Sequence, residues 1–150
     1  MLNGAYATAG GEFLVNTTVS GVQTDATITA LASGGFVIAW TDNSGLGGDS
    51  SGSSVKAQIY DANGGKLGGE FLVNTTTLNA QDQASVTSLA NGGFVVTWSD
   101  ASATGPDADR LGVKAQMFNA DGTKLGGEFL VNTTTKLNQS ISTITRVRTC

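Results

Sequence analysis

Aspartates recur at matched positions beside the two tryptophans. Asp42 and Asp100 each follow a tryptophan, Trp40 or Trp98, by two residues, and Asp49 and Asp107 lie seven residues further on. Asp109 adds one more carboxylate to the second set. Carboxylates grouped with loop carbonyls make the hard oxygen site that Ca²⁺ takes with about 6–8 ligands. Asp42, Asp49, Asp100, Asp107 and Asp109 are therefore the candidate metal ligands, and Ca²⁺ is the cofactor they would hold. The plainer reading is that Asp42 and Asp100 bond their own loop backbone as Asx-turns. The indoles suggest a second chemistry. An exposed tryptophan can stack on a sugar ring while carboxylates and amides accept its hydroxyls, which makes Trp40, Asp42, Asn43, Trp98, Asp100 and Asp107 a candidate carbohydrate site. Strand alternation places the indoles in line with Phe36 and Phe94, which favours a core role instead.

Other chemistries are short of residues. Histidine is absent, which removes the commonest general base and metal ligand. The one cysteine is Cys150, so no disulfide can form within the chain. Glycoside hydrolysis needs two carboxylates at a set separation, and no unique pair stands apart from the repeat; the chain reads as a non-enzyme. The formal net charge is −4, and the only close basic pair is Arg146 with Arg148, which argues against nucleic acid as a partner. No apolar run approaches the ~18 residues of a membrane span. The start, MLNGAYATAGG, has no basic segment ahead of an apolar one, so no cleaved signal peptide is visible.

The positioning elements come from an internal repeat. GGEFLVNTT begins at Gly10, Gly68 and Gly126, a spacing of 58 residues each time. ATITALASGGFVIAW (26–40) returns as ASVTSLANGGFVVTW (84–98), and VKAQIYDANGGKLGG (55–69) as VKAQMFNADGTKLGG (113–127). The register continues into the tail, where Ile144 corresponds to Ile28 and Val86. We divide the single domain, 1–150, into a leading strand (10–18), repeat one (24–76), repeat two (82–134) and a partial third repeat with its tail (135–150).

Each period predicts four short strands: Ala26–Leu31, Phe36–Trp40, Val55–Tyr60 and Glu70–Asn74, with equivalents 58 residues on. Asn-Gly and Asp-Gly supply the left-handed positions of tight hairpins. The composition, rich in Gly and poor in charge at 13%, suits strands and turns. The predicted fold is all-β, with tandem four-stranded antiparallel repeats as β-propeller-like blades; a β-sandwich or barrel is the alternative. In such a meander the long polar loops 41–54, 99–112, 17–25 and 75–83 gather at one edge, where binding sites usually lie. Asn16, Asn74 and Asn132 precede Thr-Thr and read as turn caps rather than glycosylation sites.

The pattern GGFVVxW, followed by VxAQx[FY] and GGEFLVNT, resembles repeats of large secreted bacterial surface proteins, often associated with hemolysin-type (RTX) adhesins. The resemblance spans residues 10 to about 147. It implies export, a secreted or cell-surface setting, and adhesion or surface recognition. The nonapeptide calcium motif of those proteins is absent, so their mode of calcium binding does not transfer. The expected function is an extracellular binding module with lectin-like recognition of carbohydrate or a cell-surface glycan. The alternative is a non-catalytic structural spacer repeat, Ca-stabilised or not. Ten strands are expected, counting a leading fourth strand and a trailing first strand. Two blades leave two apolar faces open, so a homo-oligomer is expected, most naturally a ring.

Overall fold

The computed structural model describes residues 10–108, 111–136, 138–139 and 143–145. The expectations for Asp109, Arg146, Arg148 and Cys150 lie outside them. Two four-stranded antiparallel sheets make up the fold. The first is β1 (Gln23–Ala30), β2 (Phe36–Asp42), β3 (Ser54–Tyr60) and β4 (Lys66–Leu72); the second is β5 (Gln81–Ser88), β6 (Phe94–Asp100), β7 (Gly112–Phe118) and β8 (Lys124–Leu130). Strand order follows chain order in both. No helix occurs among the described residues, so none is long and apolar enough to cross a membrane.

Local chemistry explains the meander. The turn after β1 closes with Leu31 N–H donating to Gly35 O at 2.9 Å and Gly34 N–H donating to Leu31 O at 3.0 Å. Gly34 is left-handed, at φ +89°. Gly35 must lack a side chain for a different reason: a Cβ there would lie 2.1 Å from the Tyr60 carbonyl oxygen. The GGF signature is thus one residue of backbone freedom followed by one of close approach. A bulge kinks β1 between Thr24 and Thr27, and its equivalent kinks β5 between Asp82 and Ser85. A second bulge lies between Ala57 and Ile59. The buried Gln58 fills it, its amide donating to Gly68 O at 3.2 Å and to Ile59 O at 3.0 Å.

The strand boundaries depart from expectation mainly in the fourth strand. It begins at Lys66 and ends at Leu72, because Lys66 already pairs with Tyr60, and beyond Val73, whose N–H still donates to Val55 O at 2.8 Å, the Asn74 side chain takes the next bond, accepting from Val55 N–H. The first strand starts earlier, at Gln23, on the far side of its bulge. The leading segment 10–18 is not assigned to a strand. Residues 143–145 are not assigned to a strand either, so the described residues hold eight strands rather than the expected ten.

The core lies between the sheets. Val37, Ala39, Val55, Ala57 and Ile59 from the first meet Phe94, Val96, Trp98 and Phe118 from the second. The opposite face of the first sheet carries Ile38, Trp40 and Tyr60, with Phe36 and Val15 packed on them. Both faces of β2 are therefore apolar through Trp40, whereas β3 sets Lys56 and Gln58 beside Tyr60 on its outer face.

Candidate functional site

The segment after β4 crosses to the second sheet. Val73–Thr76 leaves β4 and runs over the second sheet, where the backbone N–H groups of Thr75 and Thr76 donate to Glu128 Oε2 at 2.6 and 3.1 Å. The Thr76 hydroxyl also bonds Glu128 Oε1. Lys114 Nζ lies 3.1 Å from both Glu128 Oε1 and Asp100 Oδ2, and donates to Thr76 Oγ1 at 3.1 Å. Every element of this latch recurs 58 residues earlier. Thr17 and Thr18 N–H donate to Glu70 Oε2 at 2.7 and 3.2 Å, and Lys56 Nζ lies 3.0 Å from Asp42 Oδ2 and 3.3 Å from Glu70 Oε1. The leading segment is thus the strap of the first sheet, though it belongs to no strand itself.

Burial and charge set the protonation states. Burial alone would raise the Glu70 carboxyl. Its bonds to the Thr18 hydroxyl, the two backbone N–H groups and Lys56 outweigh that and hold it at about 2. The same balance lowers Glu128, and bonds from Ser44, Lys56 and Gln23 lower Asp42 despite its burial. These carboxylates stay ionised beside a buried lysine.

The amide side chains extend the latch between repeats. Asn74 Nδ2 donates to Asp49 Oδ2 at 2.8 Å and to Gln81 Oε1 at 3.2 Å, and Gln81 Nε2 donates to Asp100 Oδ1 at 3.1 Å. Asn74 Oδ1 accepts from Val55 N–H at 2.9 Å. The end of β2 and the loop after it join the same seam: Gln81 N–H donates to Ser53 O at 2.9 Å, Asn79 N–H to Ser51 Oγ at 3.1 Å and Gln83 N–H to Thr41 Oγ1 at 3.2 Å. The long loops gather at one edge, as the meander requires, but they bond to the following repeat.

The candidate residues therefore sit as follows. Trp40 and Trp98 are 3% and 0% exposed; Trp98 lies in the core between the sheets and Trp40 packs with Ile38, Tyr60 and Val15 on the first sheet's opposite face, so neither presents a face for a sugar. Their indole N–H groups have no hydrogen-bond partner; since both repeats share this, it is a property of the unit and not of one site. Asp42 and Asp100 are buried, and each is paired with a lysine instead of turning back on its loop alone. Asp49 and Asp107 are buried acceptors for Asn74 and Asn132, the latter at 2.7 Å. Asn43 is exposed and contributes its backbone N–H to Val22 O at 2.9 Å; Ala101 does the same to Ala80 O at 2.8 Å, so the Asn43 side chain is not needed there. Among the described residues, no three His, Cys, Asp or Glu side chains converge as a metal site would require.

Sequence reasoning passed over Lys56, Lys114, Glu70, Glu128, Gln23 and Gln81. The signal was present: all six are identical between repeats at polar positions, where a solvated face would have been free to vary. In comparisons with family models, with curated proteins and with solved structures, nothing matches this chain.

Proposed function

We propose that this chain is a non-catalytic structural repeat module of a bacterial surface or secreted protein, whose work is to stack unit on unit. The observation that carries it is the fate of the polar groups: the carboxylates, amides and loop hydroxyls that a ligand site would use are spent on bonds within each unit and across to its neighbour. Lys56 and Lys114 supply the positive charge that a metal ion would otherwise bring to these carboxylates. The secreted or surface setting comes from the sequence resemblance. Blades of a propeller are a natural use of such sheets, since a ring needs about four or more of them.

The test contrasts this reading with carbohydrate recognition and calcium stiffening. We expect no glycan on an array to be retained, no change in tryptophan emission on adding oligosaccharide, and the same melting temperature in EDTA as in millimolar Ca²⁺. Specific glycan retention with an emission shift would restore the lectin reading. A fall of several degrees in EDTA would restore the calcium-stabilised one.

A further inference from the structure

The interface between the two sheets joins two different faces of one repeat unit. The first sheet offers Val37, Ala39, Val55, Ala57 and Ile59; the second receives them with Phe94, Val96, Trp98 and Phe118. By the 58-residue equivalence, the second sheet carries the offering face again on its far side, as Val95, Thr97, Val113, Ala115 and Met117. The first sheet likewise carries the receiving face on its far side, as Phe36, Ile38, Trp40 and Tyr60. The chain's two outer faces therefore match each other in the way its inner faces do.

The outer faces are covered at their centres, where Ile38, Trp40, Tyr60, Val95 and Ala115 are buried, and open at their margins. Val86 inside the interface is 5% exposed, whereas its equivalent Ile28 is 61% exposed; Val73 is 0% exposed and its equivalent Val131 48%. A cleft of about 300 Å³ lies on the first sheet against Val15, Asn16, Gln23, Asp25 and Trp40. The equivalents Asn74, Gln81 and Gln83 are the residues that take Asp49, Ser53 and Thr41 from the preceding sheet. The cleft is an empty copy of that socket.

On the far side, the tail already stands in for a following unit. Asn132 Nδ2 donates to Asp107 at 2.7 Å, as Asn74 does to Asp49, and Gln139 N–H donates to Leu111 O at 2.9 Å, as Gln81 does to Ser53. Ile144, the counterpart of Val86, lines a cavity with Leu89 and Val95, the counterparts of Leu31 and Val37.

We infer that the open margin of the first sheet, around Ile28 and the cleft beside Gln23, is a docking surface for a second copy of this chain, head to tail, with Asn16, Gln23 and Ile28 of one copy taking the places that Asn132, Gln139 and Ile144 hold in the other. The inference rests on the stacking reading above. The contact is heterologous, so copies close into a ring or run on as a filament according to the rotation between them. The tail competes for the same surface and holds assembly back.

Sedimentation velocity of the full chain under reducing conditions, where Cys150 cannot link copies, tests this. Ile144→Asp should loosen the tail and tighten self-association at least tenfold over the unsubstituted chain. Adding Ile28→Asp should abolish that association while leaving the melting temperature unchanged, because Ile28 is exposed in the isolated chain. A 15.2 kDa particle at every concentration with Ile144→Asp, or association indifferent to Ile28→Asp, overturns the proposal. Val86→Asp separates the two readings. If it lowers the melting temperature while Ile144→Asp stays monomeric, only self-assembly falls. If it changes nothing, stacking through this face falls as well.

Discussion

Lys56 and Lys114 hold the most demanding positions in the chain. Lys56 is almost fully buried, and its ammonium faces Asp42 and Glu70 together. Two carboxylates and one ammonium leave a net negative charge, which the Thr17 and Thr18 N–H groups offset by donating to Glu70. A buried charge stripped of its partner is costly, because desolvation is no longer compensated. Lys56→Ala leaves Asp42 and Glu70 facing each other without a cation, and we expect a loss of about 3–5 kcal/mol in urea unfolding. A loss within ~0.5 kcal/mol would mean the triad adds nothing to the fold, as at exposed pairs.

At the level of the strand and turn, the two copies act as each other's controls. Ala103 occupies the left-handed region at φ +52°, and its counterpart is Gly45 at φ +67°. An L-residue with a Cβ is disfavoured there by roughly 1 kcal/mol, while glycine is not. Ala103→Gly should therefore stabilise the second repeat by about 0.5–1 kcal/mol, read as a higher urea midpoint at unchanged slope. A lower midpoint would show that chain entropy outweighs the strain. Element identities and hairpins were legible in the sequence because GGF and Asn-Gly act locally and apolar alternation marks the strands. The early start of β4 was hidden, since its opening residues Lys66–Gly69 are exposed and lack apolar alternation. The paired role of Asp42 was hidden for another reason: whether a carboxylate turns to its own loop or to Lys56 depends on a cross-strand register, Trp40 opposite Lys56, which no local pattern encodes.

Across the whole molecule, the two sheets share one electrostatic fault. Asp82 in β5 is raised above its usual 3.8 by burial and then by the nearby Asp25 carboxylate of the first sheet. The folded state thus keeps a proton that the unfolded chain has released, so this group's contribution falls as pH rises through that window. Glu70 behaves oppositely. Its pKa is lowered from 4.5 to about 2, so its contribution is full above 4.5 and is lost as pH falls toward 2. Asp82→Asn should raise the melting temperature at pH 7 and lose that advantage below pH ~4, while the acid decline driven by Glu70 remains. An equal gain at pH 7 and pH 3 would exclude the charge as its cause. The latch has a further consequence, in how such a gene can change. The bonds from a strap to its glutamate span 52 or 53 residues, from Thr17 and Thr18 to Glu70 and from Thr75 and Thr76 to Glu128. Both partners therefore belong to neighbouring periods of the same 58-residue text. Unequal recombination at any point within that text, provided it adds or removes whole periods, restores every strap, socket and ion triad at the junction. Length in such an array can drift between generations without a single new contact having to be invented.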